Sequence, residues 1–177
     1  MGNNNVGVVG VCWNVTIMAL RFNSLSDAIA CIEYATLMGA RLTSNSWGSS
    51  GYMQAMKDAI DAAAAADIAL IAASGNLSRN TDLLPFYPSG YNSPNVISVV
   101  ATAGNDGRAG FSDWGAVTTD IGAPGVGILS CVPGNGYASW DGTSMATPHV
   151  AGAYALLLSA NPSLSVAEVK AALLETV

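Results

Sequence analysis

Charged side chains are scarce in this 177-residue sequence, and most of those present are acidic. Only 10% of the residues are charged, with 12 Asp and Glu against 6 Lys and Arg, so the net charge is -6. Proteins that bind nucleic acid concentrate positive charge on one surface, and we therefore predict no nucleic-acid partner. The sequence also lacks the run of about 18 apolar residues that a membrane-spanning helix needs, so no membrane partner is predicted.

Cysteine is rare as well, and its pattern excludes two kinds of site. The three residues Cys12, Cys31 and Cys131 are an odd number at wide spacing, which predicts neither a disulfide framework nor a zinc site. We expect buried free thiols that behave as small apolar side chains. The first five residues contain no basic residue, so no signal peptide is predicted and the localisation stays open.

Hydrophobic residues make up 51% of the sequence, and they alternate between strand-like and helix-like patterns. Short apolar runs typical of buried strands occupy residues 16–20, 41–46, 68–73 and 95–101. A helix capped by Ser24 or Ser26 and ended by Gly39 follows the first run, and residues 53–66 predict another. Alternating strands and helices indicate an α/β fold with a doubly wound, mostly parallel sheet. With no repeat or linker, residues 1–177 are predicted to be one domain.

The C-terminal third predicts a hairpin followed by two helices. Residues 127–131 and 137–140 are short extended segments separated by a Pro-Gly-Asn-Gly turn. An Ala-rich apolar pattern begins near Ser144 and ends before Asn161 and Pro162. Ser165 then caps a final helix that ends at about Leu174, with Glu168 completing a capping box.

One serine lies where that apolar pattern begins, within Gly-Thr-Ser-Met-Ala-Thr-Pro-His-Val-Ala-Gly at residues 142–152. A serine at a helix N-terminus lies beside free backbone N–H groups, which stabilise an oxyanion formed on an attacked carbonyl. Ser144 is therefore a candidate nucleophile. The alternative interpretation is that Ser144 only caps the helix, which is a common role for serine at this position.

The eleven-residue segment resembles the nucleophile motif of the subtilisin-like serine proteases, the subtilases. Further segments follow the order of that family: Asn-Ser-Trp-Gly at residues 45–48, Ala-Ala-Ser-Gly-Asn at 72–76, Phe-Ser-Asp-Trp-Gly at 111–115 and Ala-Pro-Gly at 123–125. The resemblance implies a three-layer subtilisin-like α/β fold from which the N-terminal part is missing. It also implies a polypeptide substrate.

The resemblance implies a role for seven residues. Ser144 corresponds to the nucleophile of the family and Asn76 to its oxyanion asparagine. The substrate cleft would be lined by Ser46, Trp47, Gly48, Ala73 and Gly75. From the residues alone, Asn76 is equally well explained as a turn residue that tolerates a left-handed conformation. The five cleft residues are alternatively explained as residues that only pack at strand ends.

A proton acceptor for Ser144 is missing from the sequence. The single histidine, His149, lies five residues further along the same predicted helix, so its side chain diverges from Ser144. The His-Gly-Thr and Asp-Thr-Gly or Asp-Ser-Gly motifs of the family are absent. Lys57 and Lys170 are interpreted as solvated surface residues, and the carboxylate of Asp141 is too weak a base near neutral pH. We therefore expect the chain alone to be inactive.

Three functions fit these observations. The first is the C-terminal part of a subtilisin-like serine endopeptidase that needs an upstream segment. The second is a non-catalytic subtilase remnant that binds a peptide or partner. The third and weakest is an esterase of the α/β-hydrolase class, whose Gly-x-Ser-x-Gly pattern is broken here by Ala146.

The missing N-terminal part of the fold also predicts partners. It would leave strand edges unpaired, so we expect self-association or binding of a complementing N-terminal segment. No cofactor is predicted. Calcium is implied by the family resemblance only, because Asp106, Asp113 and Asp120 are too scattered in the sequence to nominate as ligands.

Overall fold

The computed structural model describes residues 4–175, so the first three residues and the last two lie outside it. None of the helices in this range is long and apolar enough to cross a lipid bilayer. The elements follow the order α1 (Leu25–Leu37), β1 (Leu42–Asn45), α2 (Gln54–Ala65), β2 (Ala69–Ala73), β3 (Val96–Thr102), β4 (Ile121–Pro124), β5 (Ile128–Val132), β6 (Gly136–Trp140), α3 (Thr143–Ala160) and α4 (Val166–Leu174).

Strands β1 to β4 form one parallel sheet in the order β1-β2-β3-β4. All five residues of β2 are apolar and buried, because a strand covered on both faces has no polar side. This confirms the strand predicted within residues 68–73. Strands β5 and β6 pair antiparallel in a separate two-stranded sheet, which is the predicted hairpin.

Helices cover both faces of the parallel sheet. Successive side chains of a strand point to opposite faces, so Ile71 packs in one core and Leu70 in the other. The first core contains residues of α3 and α4, namely Val150, Tyr154, Leu158, Val166 and Val169. The second contains residues of α1 and α2, namely Ala28, Ile32, Met56, Ala59, Ile60 and Ala63. The predicted three-layer α/β architecture is confirmed.

The helix ends follow the predicted capping pattern. Of the two candidate caps of α1, the structure selects Ser24, whose hydroxyl accepts the Asp27 N–H at 3.1 Å while its own N–H donates to the Asp27 carboxylate. Ser165 and Glu168 form the same reciprocal box at α4. Gly39 follows α1 with a φ of 69°, the left-handed conformation that favours glycine beyond a helix end.

Residues 16–20 do not form the predicted strand, and within the described range no ladder joins them to another strand. Ile17 is 81% exposed. The segment lies across a slot of about 890 Å³ from β1, the edge strand of the parallel sheet. An apolar pattern marks a segment that suits a strand, but the strand forms only when a neighbour pairs with its N–H and C=O groups.

The three cysteines are free thiols, but the predicted burial is wrong, because none of the three is fully buried. Cys131 is exposed on β5, whereas Cys12 and Cys31 are half-buried. Strand β5 belongs to a two-stranded ribbon outside the four-stranded sheet, and three of its five residues are exposed. Within the described residues, no helix or second sheet therefore covers the Cys131 side chain, although β5 contains several apolar residues.

We expect Ile97→Ala in β3 to lower the free energy of unfolding by about 2–5 kcal/mol, because it leaves a cavity in a packed core. Ile97 is 0% exposed. The same substitution at the exposed Ile17 is expected to change this free energy by less than about 0.5 kcal/mol. Urea unfolding followed by far-ultraviolet circular dichroism measures both, and equal losses would contradict the exposed position of residues 16–20.

Candidate active site

The serine of the motif lies in the first turn of α3. Gly142 is the N-cap and Ser144 is the second residue of the helix, with a half-buried side chain. Among the described residues the Ser144 N–H has no hydrogen-bond partner, because the first N–H groups of a helix have no carbonyl behind them. The free N–H and the helix dipole favour negative charge on a group held beside Ser144.

A pair of reciprocal hydrogen bonds joins the start of α3 to the end of β1. Ser46 directly follows β1, and its hydroxyl donates to the Ser144 carbonyl oxygen at 2.9 Å. The Ser144 hydroxyl donates to the Ser46 carbonyl oxygen at 3.3 Å. The structure therefore brings together two residues that the sequence assigned to the same site.

Asn76 reaches the same helix terminus from the end of β2. Its side-chain oxygen accepts two hydrogen bonds from Thr143, one from the backbone N–H and one from the hydroxyl, each 2.9 Å long. Because the oxygen is held by two donors, the amide nitrogen Nδ2 is directed away from Thr143. A Cβ atom added to Gly142 would lie 3.7 Å from this nitrogen. The amide donor of Asn76 is thus held beside the residues that precede Ser144.

Thr143 is a site residue that sequence reasoning missed. It is fully buried, and its hydroxyl also accepts the Gly75 N–H at 3.3 Å. It therefore contacts both the oxyanion candidate Asn76 and the residue before it. The sequence signal that could have identified Thr143 is its position directly before Ser144 in the motif. A hydroxyl in the first turn of a helix can reach the end of a neighbouring strand.

The remaining cleft candidates lie around this point in different surroundings. Ala73 is the buried last residue of β2, and the half-buried ring of Trp47 packs on Phe22 with centroids 5.2 Å apart. Gly48 has no room for a side chain, because an added Cβ would lie 2.4 Å from Phe86. For Gly75 the added Cβ would lie 2.2 Å from the carboxylate of Asp113. Close packing is therefore a sufficient reason for glycine at both positions, and neither position needs contact with a substrate to explain it.

The side chains considered as proton acceptors are engaged away from Ser144. His149 Nδ1 lies 2.8 Å from the Met145 carbonyl oxygen, and the Asp141 carboxylate accepts the Gly127 N–H at 2.7 Å. The two lysines are paired with aspartates, Lys57 with Asp61 at 2.6 Å and Lys170 with Asp120 at 3.1 Å. Among residues 4–175, the Ser144 hydroxyl has a hydrogen bond to a carbonyl oxygen only, and a carbonyl oxygen is not a general base.

The three aspartates considered as calcium ligands lie in different surroundings. Asp113 pairs with Arg79 and Asp120 with Lys170, whereas Asp106 is exposed in a turn. A hydrogen bond from the Thr118 hydroxyl, with backbone N–H groups of residues 116–118, holds the pKa of Asp82 below its ordinary value. The described part of the chain holds no group of three metal-ligating side chains, so calcium remains an implication of the resemblance.

In a comparison with protein families, the Subtilase family matches residues 1–177, which is the whole sequence. Alkaline elastase YaB from Bacillus sp. (strain YaB) is 41% identical over 174 residues, which are 95% of this chain and 44% of that protein. Subtilisin DY from Bacillus licheniformis is 41% identical over 175 residues, 95% of this chain and 63% of that protein. The chain thus spans about half the length of these two curated relatives.

Solved structures agree with the sequence comparison. A cold-adapted subtilisin-like serine proteinase superposes with a TM-score of 0.75 at 30% identity, covering 84% of this chain and 53% of the other. Sphericase superposes with a TM-score of 0.77 at 29% identity, covering 86% of this chain and 55% of the other. The arrangement of sheet and helices described above is therefore similar to part of a subtilisin-like structure.

We expect Thr143→Val to lower the free energy of unfolding by about 1–3 kcal/mol, because it leaves the buried Gly75 N–H without its acceptor and Asn76 with one donor fewer. Thr147→Val is the matched control: Thr147 is equally buried in α3, but its hydroxyl only donates to the Thr143 carbonyl oxygen. We expect a smaller loss for Thr147→Val. Urea unfolding compares the two variants, and an equal or larger loss for Thr147→Val would contradict this role of Thr143.

Proposed function

Since the chain belongs to the subtilase family, we propose that it is the part of a serine endopeptidase that carries the nucleophile Ser144 and the oxyanion donor Asn76. The observation that supports this most directly is the hydrogen bonding of Asn76. Two bonds from Thr143 hold its side-chain oxygen, so its Nδ2 donor is directed away from Thr143 and lies beside Gly142.

The proposed reaction is acyl transfer from a peptide. The Ser144 hydroxyl attacks the scissile carbonyl carbon, and an acyl-enzyme forms as the amine leaves. In this proposal the negative charge on the carbonyl oxygen is stabilised by Asn76 Nδ2 and by the Ser144 backbone N–H, which has no other hydrogen-bond partner among the described residues. Each such donor typically contributes about 10²–10³ in rate.

The proton of Ser144 has to pass to a base outside the described residues, which then gives it to the nitrogen of the leaving amine. The resemblance implies that a histidine, oriented by an aspartate, belongs to an upstream segment with the His-Gly-Thr and Asp-Thr-Gly motifs. The two curated relatives are longer than this chain, which spans 44% and 63% of them. We propose that a segment carrying both motifs completes the site.

The slot beside β1 is the proposed place for that segment. In the described range β1 pairs with β2 on one edge only, and its other edge lines the slot together with residues 15–18. Small residues of α3, Ala151, Gly152 and Ala155, line it as well. An apolar space next to an unpaired strand edge suits an added β-strand, whose main chain would pair with β1.

This position would also bring the segment to Ser144. Strand β1 ends at Asn45, and the next residue, Ser46, is hydrogen-bonded to Ser144. The carboxyl ends of parallel strands lie at the same sheet edge. A strand added parallel to β1 would therefore end beside Ser144, where a carboxylate and its histidine are needed.

We expect no labelling of Ser144 when the chain alone meets a fluorophosphonate probe, because the probe requires a serine activated by a base. Labelling is expected once a recombinant segment carrying both family motifs is added. Mass spectrometry identifies the labelled residue. Ser144→Ala has to abolish the labelling, whereas Ser163→Ala, at an exposed serine between α3 and α4, has to preserve it.

Two results would contradict the proposal in different ways. Labelling of Ser144 in the chain alone would mean that another group accepts the proton. A bound segment without any labelling would favour the alternative function, a non-catalytic remnant that binds a peptide or partner.

We expect the segment to protect two of the three cysteines from alkylation. Cys12 and Cys31 line the slot, and Cys131 lies outside it on β5. Their iodoacetamide reaction rates, followed by peptide mass spectrometry, should fall for Cys12 and Cys31 and stay unchanged for Cys131. Unchanged rates at Cys12 and Cys31 with the segment bound would exclude the slot as the place where the segment binds. Protection that rises with chain concentration in the absence of a segment would instead show self-association.

A further inference from the structure

A single buried carboxylate lies beneath the turn that carries Asn76. Asp113 is 0% exposed, although aspartate is among the residues least often buried. It lies on the loop between β3 and β4, far in sequence from the residues it contacts. A buried charge needs partners that compensate for lost hydration, so its hydrogen bonds indicate what the residue does.

Asp113 bonds to the peptide groups on both sides of Asn76. Its backbone N–H donates to the Gly75 carbonyl oxygen at 2.8 Å, which belongs to the peptide before Asn76. Its carboxylate oxygen Oδ1 accepts the Leu77 N–H at 2.8 Å, which belongs to the peptide after Asn76. The same Oδ1 accepts the Arg79 N–H at 2.8 Å. One residue thus restrains both backbone dihedral angles of Asn76.

The surroundings of the carboxylate are fitted to it. Arg79 Nη2 lies 3.3 Å from Oδ2 and supplies the opposite charge. Gly75 adopts a φ of 113°, and a Cβ there would lie 2.2 Å from Oδ2, so only glycine allows the carboxylate to come this close. The neighbouring Ser74 and Ser112 hydroxyls both donate to the Asp113 carbonyl oxygen.

We infer that Asp113 is a positioning residue, which holds the backbone of Asn76 so that its amide is aimed at the carbonyl oxygen attacked by Ser144. This inference rests on the proposed oxyanion role of Asn76. Thr143 orients the side chain of Asn76 from α3, and Asp113 holds the main chain from the opposite side. Both restraints are needed, because a fixed side-chain oxygen on a mobile backbone does not define where Nδ2 points.

The first test does not depend on activity. In the ¹⁵N-labelled chain we expect Asp113→Ala to shift or broaden the side-chain amide signals of Asn76, and to speed hydrogen exchange of the Leu77 N–H about tenfold or more. The matched control is Asp120→Ala. Asp120 also accepts a backbone N–H, from Ser98, and pairs with Lys170, so its loss should leave the Asn76 signals unchanged.

Three results would overturn the inference. The first is a folded Asp113→Ala chain with unchanged Asn76 signals, and the second is an equal change in Asp120→Ala. If Asp113→Ala does not fold, Asp113→Asn decides, because it retains an oxygen for the two N–H groups but faces Arg79 with an amide donor. For Asp113→Asn we expect a smaller shift of the Asn76 signals than for Asp113→Ala. The third result that would overturn the inference is an Asp113→Asn chain with no shift of these signals.

A second readout applies to the chain completed by the segment described above. We expect Asp113→Ala to lower kcat about 10–100-fold with KM nearly unchanged, because an oxyanion donor acts in the transition state. A rise in KM with kcat unchanged would assign Asp113 to substrate binding and contradict the inference. If the completed chain shows no activity at all, the proposed function fails, while the amide signals of Asn76 still decide the role of Asp113.

Discussion

The contact between the first turn of α3 and the ends of β1 and β2 is the constraint on which the rest of the site depends. Ser46 and Ser144 exchange hydrogen bonds across it, and Thr143 holds the side chain of Asn76. The helix is fixed at this depth because Val150 and Tyr154 pack in the core beneath it. A displacement of α3 would separate Ser144 from Asn76, so the relative position of these two residues depends on core packing.

The same arrangement explains how the proposed nucleophile and the proposed oxyanion donor can be held in place without a proton acceptor. Ser144 and Asn76, the proposed oxyanion donor, are positioned by α3, β1, β2 and the loop of Asp113, which are packed together in the described chain. A general base would have to approach from the side of the slot, where β1 has no strand partner among the described residues. The position of Ser144 therefore does not depend on the slot, whereas its proposed role as a nucleophile requires a base that would approach from there.

Sequence reasoning succeeded where an element is determined by its own residues. The apolar strand β2 and the capping box of Ser165 with Glu168 were predicted because burial and capping need those residue types. It failed for residues 16–20, whose apolar pattern is real but whose strand partner is absent from the described residues. It also assigned no role to Asp113, which was not nominated as a calcium ligand, because a buried carboxylate cannot be recognised by local periodicity.

By itself, the sequence determined the local structure and the family motif around Ser144, because both depend on residues that are neighbours in the sequence. It also showed that the chain contains no second histidine. Only the tertiary structure decided that Thr143 meets Asn76 across 67 positions of sequence and that Asp113 meets Leu77 across 36. Such contacts arise when two hydrophobic cores bring strand ends, a helix and a loop to one place. Hydrogen bonds over these separations depend on that packing, which no short segment encodes.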